Sequence, residues 1–337
     1  MSTEMLEAEG VENLLVCRDE ESGLRSIIAV HDTTLGAALG GVRMRPYPSE
    51  DAAVTECTAL AEAMTLKAAA AGLDLGGGWS VILGDPRQDK TDALLRAHGR
   101  AIATLGGRFI PVNDVGTTQS DIALIGEETS PVCAQDDPSP MTALGVVEGI
   151  RACVRHRSGR TDLRGLRVNV QGAGNVGASL VRLLSTEGAH VTVADVLPGR
   201  AESVAAETGA RVVEPAGLPA LECDVLAPCA LGGIITGETV GSLRCGVIAG
   251  GANNVLDSPE RADDLAERDI VYAPDFCVNA GGLIFLAEQL LGHDFDQART
   301  RVLSIGDVIA DVLDRAHREG ISTTRAAHDL AEARLKS

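Results

Sequence analysis

Short apolar runs bounded by Gly, Pro and Asp alternate along this chain with longer stretches of helical period. That alternation predicts an α/β protein. Residues 13–17 (Asn-Leu-Leu-Val-Cys) and 26–31 (Ser-Ile-Ile-Ala-Val-His) read as two strands of a hairpin across an acidic, Gly-containing turn. Ala37 to Arg43 continues in extended form, and the Gly40-Gly41 pair inside it marks a close backbone approach. Ser49 then caps a helix with Glu50 and Asp51 in its first turn, running to about Ala71. Three glycines, 76–78, lead into a strand from Trp79 to Leu83; a helix from Thr91 to Leu105 and a strand from Arg108 to Val112 follow, and that strand delivers Asp114. Pro138 and Pro140 interrupt the chain and set a domain boundary.

The second half opens with a helix, Thr142 to His156, and a strand, Leu166 to Gln171, that runs directly into Gly172-Ala173-Gly174-Asn175-Val176-Gly177. A helix to Glu187 and a strand His190 to Ala194 follow, and the strand ends in Asp195. A lone G-x-G-x-x-G is weak, but strand, helix and distal acid together form the context that the dinucleotide fingerprint requires. Gly172 permits the tight turn, Gly174 lets a pyrophosphate approach the amides of Asn175 and Val176 at the helix N-terminus, and Gly177 allows close helix-to-strand packing. Asp195 accepts from ribose hydroxyls and repels a 2′-phosphate, and Val196, Leu197 and Pro198 bring no cation beside it. NAD is therefore expected rather than NADP. Further apolar runs at 224–227, 246–249 and 270–273 supply the remaining strands of a doubly wound sheet. Their trailing loops, including Cys229, Ala230, Asn253 and Asp275, fall on the ligand side. Asn279 precedes a further helix, and two helices, 294–319 and 322–335, close the chain.

Composition narrows the picture. The chain has 337 residues, enough for two domains with separate cores. Aromatic residues make up only 2%, so Ala, Val, Leu and Ile must fill the interior. A net charge of −19 argues against nucleic acid or an anionic membrane as partner. The eight cysteines show no C-x-x-C pairing and no metal-ligand spacing with His, which suits buried thiols in a reducing compartment and implies no metal. No apolar run is long enough to span a bilayer and no signal peptide is evident, so a cytoplasmic location is expected.

Candidate chemistry concentrates at 64–85, where Lys67 stands near the end of the Ala-rich helix and Trp79, the single tryptophan, follows the three glycines. Each has a plainer reading. Lys67 can snorkel to solvent, Trp79 can be a core anchor, and Asp114 can be a helix cap. Lysine occurs only at 67, 90 and 336, so Lys67 stands out in a chain whose cations are otherwise arginines.

Taken together, His31 to Gly36, Leu39 to Met44, Ala70 to Leu73 with Gly76 to Gly78, Asp114 to Thr118, Pro138 to Ala143, Ala227 to Gly232, Ala252 to Asn254 and Asn279 to Gly282 give a sequence that resembles the leucine, valine, phenylalanine and glutamate dehydrogenases, most closely the leucine and valine branch. The resemblance implies an N-terminal substrate-binding and oligomerisation domain (1–138), an NAD-binding Rossmann domain (139–293), and C-terminal helices (294–337) packing back towards the first domain, with the reaction in a cleft between the two domains. It implies that Lys67 holds the substrate carboxylate, that Asp114 handles the amino nitrogen and its protons, that Gly40, Met64 and Asn253 lie near the substrate or nicotinamide, and that Thr142 and Asn279 contact the cofactor. Cys229 and Ala230 join them on the cofactor side. It also implies a homo-oligomer.

One position departs from the resemblance. The family motif places a lysine after the three glycines, as the base that activates water, and here that residue is Trp79. An indole N–H donates and does not titrate near neutral pH. The leading expectation is an NAD(H)-dependent oxidoreductase acting on CH–NH or C=N bonds of an α-carboxylate substrate, with hydride transfer kept and hydrolytic deamination lost, such as an imine reductase. The alternatives are a non-catalytic NAD- or ligand-binding member, and an active leucine or valine dehydrogenase that uses another base, with His31 or an ordered water as candidates.

Overall fold

A computed structural model describes residues 2–6, 10–133, 137–230 and 232–336; Leu231, in one of the quoted motifs, lies outside them. The chain forms two compact units, Met1–Asp136 with Glu332–Ser337, and Asp137–Ala331.

The first unit contains β1 (Ser2–Leu6), β2 (Asn13–Asp19), β3 (Leu24–Asp32), β4 (Ala38–Arg45), α1 (Glu50–Ala70), β5 (Gly76–Leu83), α2 (Asp92–Ala103), β6 (Phe109–Asn113) and α3 (Gln119–Gly126). Its sheet has the order β1-β2-β3-β5-β4-β6. The β2–β3 pair is the expected antiparallel hairpin, and β4 runs parallel to both β5 and β6. Strand alternation divides the core in two. Trp79 and Val81 of β5 point to α1, where they join Ala53, Cys57 and Ala61, and Ile82 points to α2, where it joins Leu94, Leu95 and Ile102.

The expected strand at Trp79 begins three residues earlier, because Gly76–Gly78 belong to it. The reason is contact distance. A β-carbon on Gly77 would lie 2.1 Å from the Thr65 nitrogen of α1, and one on Gly40 would lie 1.6 Å from the Gly78 carbonyl oxygen. Helix and strands meet backbone to backbone there, which no larger residue permits. Ser49 caps α1 by accepting from the Ala52 amide, and the C-terminal end of α1 is held by Arg334, which donates to the carbonyls of Ala69 and Leu73 and to Asp74. A guanidinium satisfies orphan carbonyls and faces the negative end of the helix dipole.

The second unit contains α4 (Ser139–Ser158), β7 (Arg167–Gln171), α5 (Asn175–Thr186), β8 (His190–Ala194), α6 (Arg200–Thr208), β9 (Arg211–Val212), β10 (Val225–Pro228), β11 (Val247–Ile248), α7 (Arg261–Glu267), β12 (Val271–Tyr272), α8 (Asp275–Val278), α9 (Gly281–Leu290), α10 (Phe295–Leu303), α11 (Ile305–Glu319) and most of α12 (Thr323–Leu335), whose last turn, from Glu332, belongs to the first unit. All its strands are parallel, in the order β12-β11-β10-β7-β8-β9. Chain direction across the sheet reverses between β7 and β10, which is the doubly wound arrangement with its switch point. The single helix expected over 294–319 is two, broken at Ser304, whose side chain donates to the Arg301 carbonyl and so competes with the helical bonding. Among the described residues no helix is long and apolar enough to cross a membrane.

On the buried face of α2, His98 is fully buried, with Nδ1 3.1 Å from Ser26 Oγ and Nε2 3.1 Å from Ser80 Oγ. Burial pushes its pKa from 6.5 down to about 3. Below pH 6.5 the unfolded imidazole takes up a proton that the folded one refuses, so this site's contribution is complete above pH 6.5 and lost progressively towards pH 3. The slope is about 1.4 kcal/mol per pH unit for one proton. Urea midpoints measured between about pH 7 and 5 should therefore fall more steeply for the wild type than for His98→Gln. Equal slopes would remove His98 as the source.

Candidate functional site

In the first unit the candidate residues gather on the α1 face of the sheet, at the end where the glycines lie. Lys67 stands half-buried in the last turn of α1, and Met64, one turn earlier, packs at the margin of the Trp79 cluster. Trp79 is 8% exposed. Its six-membered ring lies over Gly41: a β-carbon there would fall 2.6 Å from Trp79 Cζ2 and 3.0 Å from Asp114 Cβ. The indole therefore reaches along the sheet to the base of the Asp114 side chain. Its Nε1 is buried and has no hydrogen-bond partner, a state that costs roughly 1–3 kcal/mol for a neutral donor.

Arg43 organises the charge at this place. Its Nε donates to Asp114 Oδ2 at 2.6 Å, its Nη1 donates to Glu56, and its guanidinium lies over the Trp79 ring at 5.5 Å from the centroid. Arg45 also donates to Glu56. Burial acts to lower the Arg43 pKa, but the bonds to Asp114 and Glu56 outweigh it and leave the value above normal. Burial likewise acts to raise the Glu56 pKa, and the two arginines override it, holding it below the usual carboxylate range. The result is a row of fixed charges, Asp114, Arg43, Glu56 and Arg45, laid against an aromatic face. Nothing local in the sequence marks Arg43 as a site residue. Strand alternation from Gly41 would have placed it on the same face.

The other basic candidates are engaged. Lys90 donates to Asp121 Oδ2 at 2.7 Å and to the Gly116 carbonyl at 3.2 Å, and Lys336 donates to Glu332 at 3.0 Å. His31 Nδ1 is 2.9 Å from the Thr65 hydroxyl.

In the second unit the fingerprint glycines divide as their roles require. A β-carbon on Gly177 would lie 2.0 Å from the Gly172 carbonyl oxygen, so the helix is packed hard on the turn. Gly172 has φ +99° and its β-carbon would meet Cys229 and Ala230 at 2.9 Å. A β-carbon on Gly174 would meet no backbone and only Arg200 Nη1, at 3.9 Å. Gly174 is the N-cap of α5, and no side chain caps that helix end, which leaves the amides of the first turn available to an anion. Val176 packs against Gly251 in the loop after β11. Asp195 accepts from the Ala173 amide through Oδ2 and from the Leu197 amide through Oδ1, both at 2.7 Å, and each oxygen keeps a second lone pair. Beside it opens a cleft of about 950 Å³ lined by Gln171, Asp195, Pro198, Glu202, Val212 and Glu214.

Asn279 is 6% exposed. Its Nδ2 donates to the Ala252 carbonyl at 3.2 Å and to Asn253 Oδ1 at 2.8 Å, while its own Oδ1 is buried without a partner. Thr142 Oγ1 donates to the Pro138 carbonyl and would lie 2.6 Å from a β-carbon on Gly282, so the start of α4 sits against the start of α9. An uncapped helix start, an open glycine, an acid at the end of β8 and an orphaned amide oxygen form a donor and acceptor set that fits a dinucleotide. Cys229 belongs to this wall as a packed thiol, its pKa pushed up to about 11 by burial.

Known proteins bear directly on this arrangement. Residues 12–131 match the model of the Glu/Leu/Phe/Val dehydrogenase dimerisation domain, and residues 136–199 and 199–293 match that of Glutamate/Leucine/Phenylalanine/Valine dehydrogenase. The chain is 47% identical to a leucine dehydrogenase of Bacillus cereus over 99% of its own length and 93% of the relative's. It is 42% identical to a valine dehydrogenase of Streptomyces coelicolor over 97% and 92%. The crystal structure of L-tryptophan dehydrogenase from Nostoc punctiforme superposes with a TM-score of 0.85 at 41% identity, covering 97% of this chain and 96% of that one. With both domain models matched in order along one two-unit chain, this protein belongs to the Glu/Leu/Phe/Val dehydrogenase family of amino-acid dehydrogenases.

Proposed function

We propose that the protein is an NAD(H)-dependent oxidoreductase acting on CH–NH or C=N bonds of an amino-acid-like α-carboxylate, with hydride transfer retained and hydrolytic deamination lost. The observation that carries this reading is Trp79. It fills, with a buried apolar ring, the position where the reaction needs a titrating amine beside Asp114.

The chain's own groups divide the work. Lys67 anchors the substrate carboxylate as a point charge. Asp114, held by Arg43 at 2.6 Å, accepts or returns the proton of the substrate nitrogen. Gly40, whose backbone lies against the Gly78 carbonyl, lines the substrate position, and in the second unit Asn253 is held by the Asn279 amide at 2.8 Å. The dinucleotide, when bound, takes or gives the hydride. Attack of water on an imine carbon needs a base that can give and take a proton near neutral pH, and the indole excludes water from that place instead of activating it. A preformed imine, cyclic ones included, requires no such step.

For NAD over NADP, support comes from Asp195 together with Glu202 and Glu214 in the wall of one cleft. Three carboxylates oppose a 2′-phosphate. Titration calorimetry should show NADH binding more tightly than NADPH; equal or tighter NADPH binding would reject the role given to Asp195. The match of residues 12–131 to a dimerisation domain supports a homo-oligomer of at least two copies. Light scattering at micromolar protein should give a mass of at least twice 34.9 kDa, and a monomer would count against it.

The reaction itself is tested by Trp79→Lys. Wild-type protein should show little NAD reduction with leucine or valine but should oxidise NADH with a cyclic imine 2-carboxylate. The variant should gain deamination, since a general base is typically worth ~10²–10⁴-fold. It should also melt lower, because a lysine stem leaves part of the indole volume empty. Rapid NAD reduction by the wild type with leucine, unchanged in Trp79→Lys, would point to an ordinary dehydrogenase. Cofactor binding without turnover on any of these substrates would point to a non-catalytic member.

A further inference from the structure

The three residues after Asp195, Val196, Leu197 and Pro198, carry no cation. The chain continues through Gly199, in a left-handed conformation with φ +84°, which turns it into α6 and makes Arg200 the first residue of that helix. From there its guanidinium returns towards the fingerprint loop. The point where a β-carbon on Gly174 would lie has one heavy atom within 4 Å outside its chain neighbours, and that atom is Arg200 Nη1, at 3.9 Å.

Three features make this placement informative. The fingerprint glycines on either side are crowded by backbone, with contacts of 2.9 Å at Gly172 and 2.0 Å at Gly177, so the open space is specific to Gly174. Arg200 is exposed, and among the described residues its guanidinium has no carboxylate within ion-pair distance, although Asp195 and Glu202 are close in sequence. Asp195 is turned instead to the amides of Ala173 and Leu197. Finally, Val196, Pro198, Ala201 and Glu202 line the cleft beside Asp195 while Arg200 does not, so it faces the glycine turn and not the ribose end.

We propose that Arg200 is a phosphate-binding residue of the dinucleotide site: together with the α5 amides it holds the pyrophosphate at Gly174. A planar guanidinium can give two parallel N–H bonds to one phosphate. In a chain of net charge −19 it also offsets the repulsion met by an anionic cofactor. Asp195 and Arg200 then separate two tasks on one short segment, one for the ribose hydroxyls and one for the bridging phosphates. The proposal rests on the dinucleotide reading above, and binding measurements keep the two apart.

The test is calorimetric titration of the full-length wild type, Arg200→Ala and Arg200→Lys with NADH, NADPH, ADP and adenosine, at low and moderate salt. Because Arg200 is exposed and unpaired, melting temperatures should agree across the three proteins. Arg200→Ala should weaken NADH and ADP alike by roughly 10- to 100-fold, the scale of a charge-assisted hydrogen bond. Adenosine should be unaffected, the NADH-to-NADPH ratio unchanged, and the salt dependence of NADH binding reduced. Arg200→Lys should recover part of the loss. Unchanged NADH and ADP binding in Arg200→Ala overturns the proposal while leaving the cofactor assignment intact. A loss confined to NADPH would also overturn it, since Arg200 would then serve a 2′-phosphate. A wild type that binds none of the four removes the dinucleotide reading and Arg200 with it.

Discussion

The first unit depends on α1 lying directly on the backbone of β5. Gly77 is the contact, and the 2.1 Å between its absent β-carbon and the Thr65 nitrogen measures how little room there is. This approach sets the height of the last turn of α1 over the sheet and with it the position of Lys67. It also brings β5 so close beneath the helix that the next side chain on that face, Trp79, has to run sideways along the sheet. Gly41 gives it the space, and the ring ends at Asp114. One steric condition thus fixes three candidate residues that lie far apart in sequence.

Electrostatics complete what sterics begin. The Asp114 carboxylate is half-buried beside the Trp79 ring and needs a charged hydrogen-bond partner. Arg43 supplies the partner at 2.6 Å and is itself balanced by Glu56. An arginine suits this position better than a lysine, since its flat, weakly hydrated cation can lie on the indole and still donate at its edges. The charge row is therefore stiff. It fixes where Asp114 is, and the guanidinium beside it keeps its charge because it does not titrate in this range.

What the sequence made legible follows from how local each signal is. The dinucleotide turn was readable because its strand, glycines, helix and acid lie within one continuous segment, and the reversal of strand order between β7 and β10 matches it. The helix start at Ser49 was readable for the same reason. The link from Arg43 to Asp114 spans 71 residues, and only the parallel pairing of β4 with β6 brings the two together. Arg200 escaped notice because Gly199 reverses the chain at positive φ, so that a residue five positions past Asp195 returns to the turn before it. The break at Ser304 was hidden by a helical pattern that continues on both sides.

Trp79 is the only tryptophan in 337 residues, and the chain has just two tyrosines. All of its indole fluorescence therefore arises from one ring, with a guanidinium over its face and Asp114 at its rim. Indole emission shifts with the electric field across the ring. The residue that takes the expected base out of this site thus gives the protein a built-in optical gauge of the charge arrangement beside Asp114, readable without any label.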